Sequence, residues 1–287
     1  METNLHADQR IKNLLFLVGQ QKASDLHLVV GRHPTLRIDG KLVPVVQEKV
    51  LTPDDTKALS QAILTEEKQE ELLAKGHTDF SYAFEERARF RVNIFFQKGY
   101  ISITMRFVMD RLRSLEELSV PTALYNYAKY SQGLVLVTGP VGHGKSTTLA
   151  AIIDFINHNY DKHILTIEDP IEFVYSQDRC IINQREIGRD AKSFPDALRA
   201  VFREDANVVL LGELRDLETI STAMTAAETG HLIFATLHTN SAIKTVDRII
   251  DAYPPDEQNH VRAMLADSLS GVVAQQLVKT TDGKRCA

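Results

Sequence analysis

Hydrophobic positions in the first part of the chain alternate between the spacing of a helix and the spacing of strands. From Ile11, apolar residues recur at i, i+3, i+4 and i+7, which predicts a short amphipathic helix. Residues 25–30 and 35–45 then alternate apolar and polar side chains, which predicts strands, and Asp39-Gly40 supplies a hairpin turn. This pattern predicts a mixed α/β unit.

Two strands with arginines on one face follow a predicted helix over residues 52–73, in which Thr52 is the N-cap. The strands cover residues 88–96 and 100–108, and their arginines lie opposite the apolar side chains. The arginines concerned are Arg89, Arg91 and Arg106. We predict a first domain over residues 1–110, followed by a charged linker over residues 111–121.

The pattern changes at about residue 122 to a regular succession of strands and helices. Residues 134–138 are almost wholly apolar, which is typical of a strand buried on both faces in a parallel sheet. Because βα units repeat from there, we predict an α/β domain with a doubly wound, mostly parallel sheet over residues 122–287. Residues 272–287 predict a strand, an Asp282-Gly283 turn and an incomplete second strand, so we expect a missing C-terminal segment.

Composition and charge narrow the class of protein. The net charge is −5, which gives no global basic surface of the kind that nucleic-acid binders carry. The two cysteines, Cys180 and Cys286, are far apart, so a disulfide framework and a structural zinc site are both unexpected. The N-terminus lacks the pattern of a signal peptide, and no apolar stretch approaches the ~18 residues that span a bilayer. We predict a cytoplasmic protein that binds no nucleic acid.

Residues 139–146 match the phosphate-binding pattern G-x-x-x-x-G-K-[ST] in full and lie between a predicted strand and a predicted helix. Glycines let backbone N–H groups converge on phosphates at the helix N-terminus, where the dipole favours negative charge. We expect Lys145 to reach the β- and γ-phosphates of ATP and Ser146 to bind Mg²⁺. The residues predicted to bind the nucleotide are Gly139, Pro140, Val141, Gly142, His143, Gly144, Lys145, Ser146 and Thr147.

Carboxylates end two of the apolar strands, where acidic partners of a phosphate loop are expected. One strand ends in Glu168 and Asp169, and another is followed by Glu213. A glutamate at 213 suits both polarising a water that attacks the γ-phosphate and indirect magnesium binding. Each acid alone is also compatible with a helix cap or a strand-end salt bridge. We predict Glu213 and Glu168 as catalytic residues, and Ser146, Glu168 and Asp169 as magnesium ligands, partly through water.

Two histidines and two arginines are further candidates. His231 and His238 flank the strand 232–237. A histidine at a strand end is more often structural, but near a phosphate loop an imidazole can sense the γ-phosphate or contact a neighbouring subunit. Arg91 and Arg106 are compatible with a solvated sheet face, and also with arginine fingers that neutralise a γ-phosphate bound by the next subunit. We include all four as candidate catalytic residues.

Several segments together, in this order and spacing, resemble the type IV pilus retraction ATPases, the PilT family of the secretion ATPase superfamily. The segments are KASDLHL, ARFRVN, GLVLVTGPVGHGKSTTLAA, HILTIEDPIEFVY, INQREIG, LGELRDLETI, TAAETGHLIFATLHTNSA and KTVDRIID. The resemblance implies a PAS-like N-terminal domain, a RecA-like motor domain, and a homo-hexameric ring that binds ATP at subunit boundaries. It also implies a motor peripheral to the inner face of the cell membrane, which acts on pilin indirectly through an inner-membrane platform protein.

The same resemblance assigns roles to the candidate residues. The family's Asp box matches residues 168–172, and its Walker B region matches residues 212–216. Its His box matches residues 230–238, and its phosphate-contacting arginines match Arg91 and Arg106. The chain lacks the four-cysteine insert usual in the extension ATPases, so retraction is favoured over extension. His143 stands where the family usually has serine or alanine, and the family continues beyond residue 287 with a helix tied to retraction.

A second class of function stays open at this point, a nucleotide-dependent binding module or a non-hydrolysing regulatory paralogue. A GTP switch is disfavoured because no N-K-x-D motif occurs. A small-molecule kinase is disfavoured because no arginine-rich lid follows the phosphate loop. The acidic balance gives a DNA translocase no support.

Overall fold

The chain divides into two compact units, Met1–Asp110 and Arg111–Ala287. The computed structural model describes residues 2–84, 88–108, 112–280 and 285–286. The segment predicted as a linker, residues 111–121, belongs to the second unit, and its first residue lies outside the described ones. From residue 112 it packs onto that unit, where Leu115 is buried in the core.

The first unit is built on an antiparallel sheet. The order across the sheet is β3-β2-β1-β6-β5-β4, and each neighbouring pair is antiparallel. Ile11 and Val18 of the first helix join Leu26, Phe90 and Met105 of the sheet in one apolar core with no exposed surface. The elements are α1 (Glu2–Gln20), β1 (Asp25–Leu28), β2 (Thr35–Ile38), β3 (Lys41–Pro44), α2 (Pro53–Gln61), α3 (Glu66–Lys75), β4 (His77–Phe84), β5 (Ala88–Gln97) and β6 (Tyr100–Val108).

The structure confirms the predicted hairpin and corrects the predicted helix of this unit. Asp39 and Gly40 have φ angles of 48° and 79° between β2 and β3, as a two-residue turn of type I′ requires. The single helix predicted over residues 52–73 is wrong, because α2 and α3 are separate helices. Thr65 starts the second of them with extended backbone, and its side chain accepts from the N–H of Lys68.

The second unit is built on a parallel sheet in the order β12-β7-β11-β10-β8-β9. Its helices are α4 (Ala123–Tyr127), α5 (Lys145–Asn159), α6 (Phe194–Val201), α7 (Leu217–Glu228), α8 (Ala242–Asp251) and α9 (Gln258–Ser268). Its strands are β7 (Gly133–Thr138), β8 (His163–Glu168), β9 (Ile181–Glu186), β10 (Val208–Leu211), β11 (Leu232–Leu237), β12 (Leu269–Ala274), β13 (Val278–Lys279) and β14 (Arg285–Cys286).

Helices cover both faces of this sheet, which confirms the predicted doubly wound architecture. Successive side chains of β7 point to opposite faces. Leu134 and Leu136 pack into a core with α6, α7 and α9, whereas Val135 and Val137 pack into a core with α4 and α5. Because the strands are parallel, the residues that follow β7, β8, β10 and β11 meet at one edge of the sheet.

The second unit differs from the predictions in several elements. Strand β9 and helices α4 and α9 were not predicted. The single strand predicted from residue 272 is divided into β12, which joins the parallel sheet, and β13, which pairs antiparallel with β14 as the predicted hairpin requires. The predicted Asp282-Gly283 turn lies outside the described residues. Within the part of the chain that the structure describes, no helix has both the length and the apolar character needed to cross a membrane.

Candidate nucleotide-binding site

Three glycines shape the loop between β7 and α5. Gly139, Gly142 and Gly144 have φ angles of 146°, 76° and 80°, a backbone region that other residues disfavour. Helix α5 begins at Lys145, and its N-cap, Gly144, has no side chain to accept from the first N–H groups. Those N–H groups have no partner within the helix. The loop and the helix start therefore form a backbone cradle for an anion, which the helix dipole reinforces.

The side chain of Lys145 lies inside this cradle. Its Nζ donates to the carbonyl oxygens of Gly139 at 2.8 Å and Pro140 at 3.0 Å, and it lies 3.4 Å from Nδ1 of His238. Burial lowers the pKa of Lys145, although two nearby glutamates oppose that shift. Phosphate oxygens that replaced the two carbonyls would give the buried ammonium a stronger, charge-assisted partner.

Glu168, the last residue of β8, is almost wholly buried, with 7% of its surface exposed. Its Oε1 accepts from Oγ1 of Thr166 at 2.7 Å and Nε2 of Gln184 at 3.4 Å, and its Oε2 accepts from the N–H of Glu172 at 3.3 Å. Burial outweighs these bonds and raises the pKa of Glu168 to about 7. At neutral pH this carboxyl can both hold and release a proton, as a general base must.

Glu213, just after β10, has the opposite electrostatic character. Its carboxylate pairs with Arg215 and lies 3.3 Å from Nε2 of His238. Partial burial by itself raises the pKa of Glu213, but Arg215 and His238 together hold it below its ordinary value. Arg215 also donates to Oδ2 of Asp169 at 3.2 Å. Arg215 thus joins the carboxylate of Glu213 to that of Asp169.

His238 links the two charged groups of the site. The ammonium of Lys145 can only donate, so Nδ1 of His238 accepts from it, and the ring proton lies on Nε2, toward Glu213. The order of contacts is Lys145, His238, Glu213, Arg215 and Asp169. Lys145 is therefore connected to the acidic side of the site by a series of direct contacts.

One cavity of about 210 Å³ is lined by Lys145, Glu168, Asp169, Glu213 and His238. Ser146 is exposed at this cavity, and its hydroxyl with the carboxylates of Glu168 and Asp169 forms a set of hard oxygen ligands that fits Mg²⁺. The predicted site residues that line the cavity are Val141, Gly142, Lys145, Ser146, Glu168, Asp169, Glu213 and His238. The other predicted nucleotide-binding residues do not line it: Gly139, Pro140, His143, Gly144 and Thr147.

Comparison with known proteins agrees with this geometry. The family model for type II/IV secretion system proteins matches residues 6–286. The type IV pilus retraction ATPase PilT of Pseudomonas aeruginosa is 45% identical over 281 residues, which cover 96% of this chain and 80% of that protein. A twitching motility protein of Neisseria gonorrhoeae is 52% identical over 205 residues, which cover 71% of this chain and 55% of that protein.

A solved structure gives the same relation in three dimensions. The crystal structure of the pilus retraction motor PilT with bound ADP aligns with a TM-score of 0.91 and 42% identity, over 96% of this chain and 80% of that one. The chain belongs to the PilT family of type II/IV secretion system proteins. The family resemblance of the sequence is thereby confirmed, as is the RecA-like ATPase fold of the second unit.

His231, in the region that matches the PilT-family His box, lies at the opposite edge of the sheet. Leu232 at the start of β11 pairs with the first residue of β7, far from the phosphate loop. The ring of His231 contacts the carbonyl of Ala226 at 3.1 Å and packs edge-on against Phe202. The length of β11 separates it from His238 by roughly 20 Å. The structure therefore does not bring His231 to the site of its own chain, and its contacts there are structural.

Arg91 and Arg106, the two arginines predicted to contact phosphate, lie together in the first unit. Arg91 on β5 pairs in register with Arg106 on β6, and both side chains are exposed. Nε of Arg106 donates to Oδ1 of Asp25 at 2.9 Å. The bond leaves 66% of the Arg106 side chain exposed, so the guanidinium is available to an anion from another chain.

Sequence reasoning missed two residues of the site. Arg215 was not singled out, although it lies two positions after Glu213, a spacing that suggests a local ion pair. Gln184 on β9 pairs in register with Thr166 and donates to Glu168. The signal available in the sequence was a polar side chain on a strand that lies beside the buried end of β8. This signal could not be used because β9 itself was not predicted.

Proposed function

We propose that this chain is the ATP-hydrolysing subunit of a hexameric motor that drives type IV pilus retraction. One observation carries the proposal: a phosphate loop with its lysine faces two glutamates of opposed electrostatic character at the same sheet edge. Glu168 has a pKa of about 7, whereas the pKa of Glu213 lies below its ordinary value. Two carboxyls separated in this way suit different roles in one reaction.

In this proposal the cradle of residues 139–147 binds the phosphates of ATP. Lys145 exchanges its contacts with the loop carbonyls for the β- and γ-phosphate oxygens. Ser146, Glu168 and Asp169 would hold Mg²⁺, the two carboxylates partly through water. A bound Mg²⁺ supplies positive charge that offsets the charge of the phosphate oxygens.

Hydrolysis then needs a water placed opposite the leaving group. Glu168 accepts a proton from this water as its oxygen forms a bond to the γ-phosphorus, while the bond from that phosphorus to the β-phosphate oxygen breaks. The products are ADP and inorganic phosphate. Glu213 stays ionised beside the water and orients it, held in place by Arg215 and His238.

The position of His238 suits a role as a sensor of the γ-phosphate. It contacts Lys145 on one ring nitrogen and Glu213 on the other. When Lys145 turns to the phosphates, His238 loses a donor and its ring is free to reorient. The state of the nucleotide is thereby coupled to the position of Glu213.

The mechanical parts of the proposal concern assembly. We propose that six copies form a ring, and that Arg91 and Arg106 of one chain neutralise the γ-phosphate bound by its neighbour. The ring would lie in the cytoplasm at the inner face of the membrane and act on pilin through an inner-membrane platform protein. The names of the relatives, a pilus retraction ATPase and a twitching motility protein, support the role in retraction.

Magnesium-dependent ATP hydrolysis by the wild type and a Lys145→Ala variant tests the proposal. We expect turnover by the wild type and, because the variant loses its phosphate-binding ammonium, a loss on the order of a hundredfold or more. Lys129→Ala, which removes an exposed lysine elsewhere in the second unit, is the matched control. Tight nucleotide binding with no turnover by the wild type would overturn the proposal and favour a binding module.

A further inference from the structure

The back of the phosphate loop is covered by Gln275, which follows β12 and is 8% exposed. Strand β12 pairs in parallel with β7, so that Ala274 lies opposite Thr138, the last residue before the loop. The N–H of Gln275 continues this ladder and donates to the carbonyl of Thr138 at 2.8 Å. The chain that leaves β12 therefore runs directly behind the loop.

The side chain of Gln275 ties two parts of the cradle together. Its Oε1 accepts from Oγ1 of Thr148, in the first turn of α5, at 2.8 Å. Its Nε2 donates to the carbonyl of His143, in the middle of the loop, at 2.8 Å. One buried amide thus fixes the distance between the loop and the helix whose N–H groups face the phosphates.

His143 makes a second tie to the same segment. Its Nδ1 accepts from the N–H of Leu277 at 3.1 Å, so this ring nitrogen carries no proton. Serine or alanine at this position is too short to place an acceptor there. The imidazole therefore adds a contact that a small residue in the loop lacks.

Two of the loop glycines pack against Gln275. A Cβ added to Gly139 would lie 2.2 Å from the carbonyl oxygen of Gln275, and one added to Gly144 would lie 2.9 Å from its Nε2. A Cβ on Gly142 would meet no atom within 4 Å. Gly139 and Gly144 are therefore required for this close approach as well as for their backbone angles.

We propose that Gln275 and His143 are positioning residues that hold the phosphate loop in its binding shape against the segment 275–277. The inference rests on the proposed function, since it concerns the same phosphate site. Neither residue lines the cavity, so both act through the loop backbone. Because the ties are mutual, a nucleotide that orders the loop also orders residues 275–277.

The test uses the full chain with Gln275→Met, which keeps the volume of the side chain and removes both of its hydrogen bonds. We expect ADP binding to weaken about tenfold and the KM for ATP to rise in proportion, with kcat within about twofold of the wild type. Gln275→Glu keeps the acceptor for Thr148 but places a buried carboxylate oxygen against the carbonyl of His143, so it should not recover the affinity. Gln258→Ala, which removes a glutamine bonded to the carbonyl of Tyr253, is the matched control.

Hydrogen exchange supplies a readout that a general loss of stability would not give. In the wild type, ADP should slow exchange in the peptide 272–279. Gln275→Met should lose most of that protection and His143→Ala part of it, while both variants stay folded. ADP affinity of Gln275→Met equal to that of Gln258→Ala, or unchanged exchange on ADP binding, would overturn the inference alone. A wild type that binds no ADP would overturn the proposed function and this inference together.

Discussion

Replacing Glu168 by glutamine is expected to stabilise the protein at alkaline pH and to abolish hydrolysis. Burial raises the pKa of Glu168 from 4.5 to about 7 in the folded protein, and the unfolded chain restores the ordinary value. The folded state therefore binds this proton more tightly than the unfolded state does. The resulting stability is fully present below pH 4.5 and is lost as the pH rises through about 7.

The size of the effect follows from that difference in pKa. A shift from 4.5 to about 7 corresponds to about 3 kcal/mol of unfolding free energy at pH 8 relative to pH 4. Glutamine carries no charge at either pH, so it removes this loss. In the wild type the N–H of Glu172 donates to Glu168, and in the variant it would face the N–H₂ group of the glutamine instead. The loss of this hydrogen bond costs about 1 kcal/mol of unfolding free energy. We expect Glu168→Gln to be more stable than the wild type by about 2 kcal/mol at pH 8.

Urea unfolding of the wild type and Glu168→Gln at pH 4 and pH 8 measures this difference. The stabilisation should be present at pH 8 and absent at pH 4. Glu228→Gln, which removes an exposed glutamate at the end of α7, controls for the change in net charge and should show no such effect. ATP hydrolysis is measured beside it, because the variant has lost the group that accepts the proton. If the difference in unfolding free energy between Glu168→Gln and the wild type is the same at pH 4 and at pH 8, the reasoning on burial is refuted.

Two further predictions separate the roles of the other site residues. Glu213→Gln should keep its affinity for ATP and lose turnover on the order of a hundredfold, because an amide orients the water less well than a carboxylate does. Unchanged single-turnover hydrolysis by this variant would show that Glu213 does not have this role. His238→Ala should lower kcat because the contact between Lys145 and Glu213 is broken, whereas His231→Ala should leave nucleotide affinity within about twofold, since that ring lies at the other edge of the sheet. An equal fall of kcat in both histidine variants, or a clear loss of ADP affinity in His231→Ala measured by titration, would contradict this assignment.

The sequence predicted the parts of the fold that depend on local pattern. The apolar run of β7, the glycine-rich loop and the helix beginning at Lys145 are contiguous in the chain, so pattern and spacing sufficed. The acids after β8 and β10 could be predicted to meet, because parallel strands end at a common edge. The break between α2 and α3 was missed because residues 66–71 are all good helix formers, so their composition does not mark the end of a helix, and the capping bond of Thr65 reveals it.

Contacts that join distant parts of the chain could not be predicted. Gln275 is more than 100 residues from the loop it supports, and its role depends on β12 lying beside β7. Gln184 reaches Glu168 only because β9 lies beside β8. The position of His231 depends on the direction of β11, which places the two histidines at opposite edges.

The most direct test of the motor is ATP hydrolysis per chain as a function of protein concentration, with Arg91→Ala beside the wild type. Arg32→Ala, another exposed arginine of the first unit, is the matched control. If each site is completed by a neighbour, activity per chain rises steeply with assembly and falls on the order of a thousandfold in Arg91→Ala, but not in the control. A rate per chain that is independent of concentration and of Arg91 would show a self-contained site and contradict the ring motor.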